Sequence, residues 1–216
     1  MVNLKHLVHK FKVHGGKNFL IATLSFIFIF QAQPLLSKQS SHIIEILVND
    51  KIITNYDIAQ HFAINSILNQ ITVTTENGDL LYEKTVNQLI DMKLQQIKIK
   101  EYNIEIEEKN RNFYENYFFQ SRQLDKNKVY EIIKNNNLDI NVLKEKISTS
   151  IAWEQLTSGL FLHTISISDT EVSELLKSDD SLSPELAKRI LTNKQIQLKS
   201  DKYIRDLRAE ANIEKR

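Results

Sequence analysis

Glycine and proline are nearly absent from most of this chain, which limits the folds that it can adopt. Only Gly78, Gly159 and Pro184 occur after residue 37, where Leu, Ile, Lys, Glu, Gln and Asn dominate. A chain of this composition is mostly helical. The sequence therefore predicts a mainly α fold. Cysteine is absent altogether, which excludes a disulfide framework and any cysteine nucleophile or metal ligand.

The first 37 residues have the order of a secretory signal. They contain no acidic residue, and a 12-residue apolar run covers residues 19–30. Four basic residues precede that run: Lys5, Lys10, Lys12 and Lys17. Because the run is shorter than the roughly 20 residues of a membrane-spanning helix, we expect residues 1–37 to be a signal peptide and the protein to be exported. Large residues stand where signal cleavage prefers small ones, so the alternative is an uncleaved inner-membrane tether through residues 19–30.

The charge balance argues against nucleic acid as a partner. Removing residues 1–37 takes away 4 of the 28 basic residues and none of the 27 acidic ones, which leaves 24 − 27 = −3. Lysines alternate with acidic residues throughout the remainder. A nucleic-acid-binding domain would instead concentrate a basic surplus on one face.

A short hairpin is expected before the helices begin. Ile44, Ile46 and Val48 alternate with other residues, and Asn49-Asp50 is a turn pair. Either Thr54 or Asn55 can then serve as the N-cap of the first helix. Apolar spacings of three and four residues predict seven helices, over residues 55–70, 81–101, 107–122, 128–134, 139–163, 168–177 and 184–211. We expect the last helix to pack back on the helices that begin near Asn55 and Leu81.

Three segments in order are similar to the SurA family of periplasmic chaperones: Leu47–Asp57, Gln88–Leu94 and Ile165–Val172. The closing segment Tyr203–Ile213 is similar to the family's carboxy-terminal helix and strand. The resemblance implies a helical chaperone core over residues 38–216, composed of an amino-terminal part, 38–178, and a returning carboxy-terminal helix, 183–216.

The resemblance also implies that one family component is missing. In the family, a parvulin-type prolyl isomerase domain of about 100 residues separates the two parts of the core, a size typical of an independent domain. Only the 15 residues of Asp169–Ser183 are available for it here. We therefore expect no isomerase domain and no enzymatic activity.

Sites for catalysis, metals or cofactors have no support in the sequence. Beyond the export segment the histidines are His42, His61 and His163, and no two lie within one helical turn of each other. Neither a Gly-x-Ser-x-Gly elbow nor a glycine-rich phosphate loop follows residue 37. We predict no catalytic residue, no metal and no cofactor.

The aromatic cluster of residues 113–119 is the strongest candidate for a binding site. Its members are Phe113, Tyr114, Tyr117, Phe118 and Phe119. At 100° per residue the first four span about 140° of a helix and Phe119 points elsewhere, so one core face cannot easily cover all five. We interpret the cluster as the wall of a peptide-binding groove, with Tyr117 and Phe119 outward. The alternative is packing under the carboxy-terminal helix. Trp153 is a further peptide-contact candidate, with a core position as its alternative.

Two functions follow from these observations. The first is an exported, ATP-independent chaperone that holds unfolded or nascent outer-membrane proteins by weak capture of extended segments. The second is an assembly or scaffold subunit, held at the inner membrane by its uncleaved signal and binding one specific partner. In the first function the exposed aromatics form a client groove, and in the second they form a permanent interface.

Overall fold

The computed structural model describes residues 43–216, which form seven α-helices and a small three-stranded sheet. The predicted mainly α fold with a short hairpin is thus confirmed. The strands are β1 (Ile44–Val48), β2 (Lys51–Thr54) and β3 (Ile213–Lys215). The helices are α1 (Asn55–Leu68), α2 (Gly78–Glu101), α3 (Glu108–Gln120), α4 (Lys126–Asn135), α5 (Ile140–Phe161), α6 (Asp169–Ser178) and α7 (Pro184–Glu210). The predicted signal peptide lies outside the described residues.

The sheet joins the two ends of the described chain. The β1–β2 hairpin turns at Asn49, whose φ of 54° is the left-handed conformation that asparagine tolerates. Strand β3 pairs antiparallel with the other edge of β1, with Val48 opposite Ile213, so that β1 is the central strand. The amide of Arg216 also donates to the carbonyl of Glu45, at 2.9 Å.

Side-chain caps fix where the helices begin. Thr54 is the N-cap of α1: its hydroxyl accepts from the amide of Asp57 at 3.1 Å, and the Asp57 carboxylate accepts from the Thr54 amide at 2.9 Å. This reciprocal capping box satisfies two amides that a helix end leaves unpaired. Ser168 forms the same box with Glu171 at the start of α6. Asp139 and Ser183 cap α5 and α7.

Two apolar clusters form the core. The first joins the sheet, the start of α1 and α2 around Val48, Ile58 and Leu89. The second joins the end of α1 with α3, α4 and α5 around Ile64, Phe119 and Leu143. Because α1 contributes to both clusters, it connects the sheet end of the molecule with the α3–α5 end.

Helix α7 returns to the first cluster and packs on α2 as predicted, whereas its second main neighbour in the core is α5 and not the predicted α1. Ile204 and Leu207 pack against that cluster, and Arg208 donates to the carboxylate of Asp91 on α2 at 2.9 Å. The amino-terminal part of α7 differs, because its apolar residues Ile190 and Leu198 are exposed. Only the latter part of α7 reaches the apolar core.

Candidate peptide-binding groove

The structure divides the aromatic cluster of residues 113–119 into a buried and an exposed part. Phe118 and Phe119 are both in the second core cluster, and Phe119 is only 1% exposed. The prediction that Phe119 points outward is therefore wrong. Phe119 packs edge-on to Phe118 and beside Tyr130 of α4, so α4 covers the side of α3 that the sequence left open. Neither phenylalanine is accessible to a peptide.

Phe113 and Tyr117 form the exposed part of the cluster. They are 67% and 51% exposed, and their four-residue spacing places them one above the other on one face of α3. Tyr114 lies half-buried between the two parts, and its ring meets Phe113 edge-on at 5.5 Å. The Tyr114 hydroxyl accepts from the side-chain amide of Gln155 on α5 at 3.0 Å, which fixes α3 against α5. Tyr117 thus faces outward as predicted, and its outward companion is Phe113.

A groove runs between α3 and α5 beside these two aromatic rings. Two adjoining recesses of about 320 and 290 Å³ share Tyr114 and Ile151 as lining residues. We refer to them together as the α3–α5 groove. Its α5 wall extends from Lys144 to Ser158, which at 1.5 Å per residue is about 21 Å. An extended strand of about six residues covers that length.

The groove has an apolar floor and a polar rim. Ile147 and Ile151 supply buried aliphatic surface from α5, and Ile106 adds more at one end. Charged and polar groups line its edges: Arg111, Asn112, Glu115, Lys144, Ser148, Glu154, Gln155 and Ser158. An apolar floor can take side chains of a bound segment, while the rim offers donors and acceptors for its backbone. The sequence reasoning missed the α5 wall, although residues 144, 147, 151, 154 and 158 recur at helical spacing.

Trp153 lies in the core with 8% of its surface exposed, and it does not line the α3–α5 groove. Its indole N–H donates to the hydroxyl of Ser200 at 2.9 Å, and its ring stacks on Tyr203 with centroids 5.5 Å apart. Both partners are on α7, so Trp153 holds α7 against α5. This burial favours the core alternative over a peptide contact in the α3–α5 groove.

The two histidines of the described region, His61 and His163, have different surroundings. His61 is buried, and desolvation lowers its pKa from 6.5 to about 4, with further lowering by Lys146 and Lys93. His163 is exposed, and His42 lies outside the described residues.

In residues 43–216 no group of three His, Cys, Asp or Glu side chains is arranged to hold a metal ion. Over the same residues, no helix combines the length and the apolar character needed to cross a membrane.

Comparison with known proteins adds no further assignment. No model of a protein family matches the chain, and no curated protein matches its sequence.

Proposed function

We propose that this protein is an exported, ATP-independent chaperone that holds extended segments of unfolded polypeptide in the α3–α5 groove. The exposure of Phe113 and Tyr117 beside an apolar groove is the observation that carries the proposal. Large aromatic side chains contribute much of the energy at binding surfaces, and an exposed pair at helical spacing suits a partner that binds along the groove. No chemical step is involved.

The dimensions and chemistry of the groove support weak and reversible capture. A length of about 21 Å accommodates roughly six residues of an extended segment, with alternate side chains turned toward Ile147 and Ile151. Ordering a flexible segment costs conformational entropy, which offsets much of the contact energy. Weak binding of this kind allows a client to leave without ATP hydrolysis.

The choice of clients rests on the resemblance to SurA-type chaperones. On that basis we propose that the protein acts in the periplasm on unfolded or nascent outer-membrane proteins, and that it is not an enzyme. The short connection between α6 and α7 supports the proposal that the protein is not an enzyme, because only residues 179–183 join the two helices. A link of that size leaves no room for an isomerase domain.

The proposal is tested by replacing Phe113 and Tyr117 with serine in one variant. We expect the double variant to bind a fluorescent, aromatic-bearing peptide of an unfolded outer-membrane protein about fivefold or more weakly, equivalent to about 1 kcal/mol or more. Its free energy of unfolding should stay within about 0.5 kcal/mol of the wild-type value, because exposed side chains contribute little to the core. Fluorescence anisotropy and urea denaturation measure the two quantities.

The amino-terminal end of α2 offers a closely matched control. Leu80 and Tyr82 are 69% and 49% exposed, against 67% and 51% for Phe113 and Tyr117. Replacing Leu80 and Tyr82 with serine removes similar apolar surface outside the groove, so peptide affinity should be unchanged. If peptide binding weakens equally in both variants, the groove is not a specific site. If the Phe113/Tyr117 variant binds the peptide with unchanged affinity, the proposal is refuted.

A further inference from the structure

A second recess lies between α2 and α5 and contains two cationic side chains. It has a volume of about 260 Å³ and shares no lining residue with the α3–α5 groove. Arg122 and Lys146 both line it, and within the described part of the chain neither forms an ion pair. We call this recess the Arg122–Lys146 pocket.

The Arg122 guanidinium is held in place by its own surroundings. Its carbon lies 3.8 Å above the centre of the Phe118 ring, and one of its nitrogens donates to the Phe118 carbonyl at 3.2 Å. The same nitrogen donates to the hydroxyl of Ser121 at 3.3 Å. A guanidinium has five N–H donors, so these contacts leave donors for a ligand. Stacking on the ring also fixes its plane.

Lys146 reaches the pocket from the half-buried side of α5. Burial lowers the pKa of Lys146, and the neighbouring charge of Arg122 lowers it further. Burial lowers the pKa of Arg122 as well, whereas the charges of Glu154 and Tyr117 raise it. Two cations that share a partly desolvated recess repel each other, and an anion placed between them removes that repulsion.

Neutral groups add further donors to the pocket. The side-chain oxygen of Gln88 accepts from Asn65 at 2.9 Å, and its NH₂ group makes no protein hydrogen bond among residues 43–216. Gln95 and Ser150 also line the pocket, and their side chains form no hydrogen bond within that same range. Met92 and Trp153 form an apolar wall, which lowers the local dielectric and strengthens attraction to an anion.

The acidic residue of the pocket limits the charge of its ligand. Asp91 lines the wall, where burial raises its pKa while its partner Arg208 opposes that rise. Among the lining residues, Arg122 and Lys146 against Asp91 leave an excess of one positive charge, and Arg208 outside the lining pairs with Asp91. A monoanion with planar geometry matches a stacked guanidinium, whereas a multiply charged anion would be repelled by Asp91.

We propose that the Arg122–Lys146 pocket binds a carboxylate group, either of a small organic acid or of a peptide chain. The binding does not depend on the α3–α5 groove, because the two sites share no lining residue. Either site can therefore be disproved without the other.

Trp153 provides the measurement, since it lines the pocket and is the single tryptophan of the chain. We expect sodium acetate to change its fluorescence in a saturable way, with no such change for sodium chloride at the same ionic strength. A double variant, Arg122→Gln with Lys146→Gln, should raise the apparent Kd for acetate at least tenfold. Lys146→Gln alone should raise it at least threefold, and this single variant keeps the contacts of Arg122 that support the fold.

The matched control is Lys188→Gln with Arg189→Gln, which removes the same two charges from the exposed surface of α7. It should bind acetate with the wild-type Kd. A saturable acetate response that persists in the Arg122/Lys146 variant, or an equal response to chloride, would overturn the proposal. Tighter binding of inorganic phosphate than of acetate would also overturn it.

A second arm identifies the source of the carboxylate. An N-acetylated tripeptide with a free carboxy terminus is compared with its carboxy-terminal amide in the same titration. Tenfold or tighter binding of the acid relative to acetate, lost in the amide, assigns the pocket to a peptide carboxylate. Equal affinity of the acid and of acetate assigns it to small organic acids. Binding of the amide as tight as the acid would contradict carboxylate recognition.

Discussion

The burial of His61 makes the stability of this protein depend on pH in a predictable direction. His61 lies on α1 with 5% of its surface exposed, and desolvation lowers its pKa from 6.5 to about 4. The groups that act on its charge are Lys146 and Lys93, which lower the pKa, and Asp57, which raises it. His61 therefore stays neutral in the folded protein at pH values where it is protonated in the unfolded chain.

The sign and the size of the effect follow from these two pKa values. Above pH 6.5 neither state binds the proton, so the full stability is present. As the pH falls from 6.5 toward 4, the unfolded chain binds a proton that folded His61 does not, and stability falls by about 1.4 kcal/mol per pH unit. Between pH 7.5 and pH 5.0 the loss is about 2 kcal/mol. That is a large share of the roughly 5–15 kcal/mol that stabilises a typical domain.

Urea denaturation at pH 7.5 and pH 5.0, followed by circular dichroism, measures this loss. The variant His61→Gln has no proton to bind at that position, so its own pH-dependent loss should be about 2 kcal/mol smaller than that of the wild type. His163→Gln is the control, because it removes an exposed histidine and should keep the wild-type pH dependence. If His61→Gln and the wild type lose the same free energy between the two pH values, the assignment of the effect to His61 is refuted.

Three more outcomes are expected from the packing of α7 and the short link before it. Truncation after Ser183 removes Ile204 and Leu207 from the core and should abolish the cooperative unfolding transition; a truncated chain with the full-length Tm would contradict this. Ser200→Ala leaves the buried N–H of Trp153 unpaired and should lower the free energy of unfolding by about 1–3 kcal/mol, whereas Ser178→Ala, at an exposed position, should not change it measurably. In a prolyl isomerisation assay the protein should give only the uncatalysed rate, and acceleration that copurifies with the folded protein would reverse the non-enzyme assignment.

Much of the fold could be predicted from the sequence because helix ends carry local signals. Thr54 caps α1 as expected, and the caps at Asp139, Ser168 and Ser183 are equally local, since their bonds reach only two or three residues along the chain. The helix bounds agree with the predicted ranges to within about three residues. The exposure of Ile190 and Leu198 could not be predicted, because periodicity identifies an apolar face but does not say whether another element covers it.

The same difference between local and long-range information explains the result for the aromatic cluster. A helical wheel gives the angles between Phe113, Tyr117 and Phe119, but it does not give the direction of the core. That direction is set by α4, which places Tyr130 beside Phe119. Trp153 is a similar case, because its partner Ser200 is 47 residues away. Contacts of this range are invisible in the spacing of neighbouring residues.

The pairing of β1 with β3 also affects how the chain can fold as it is synthesised. Asn49 and Asn212, which meet beside these strands, are 163 residues apart. Closing a flexible loop of that size costs roughly 4–5 kcal/mol in chain entropy beyond the length-independent part. When the chain emerges from its amino-terminal end, the hairpin precedes all seven helices and the third strand comes last. Until then one edge of β1 has no partner strand, and a two-stranded hairpin is only marginally stable in water. The amino-terminal strands therefore acquire their final stability only when the last residues of the domain arrive.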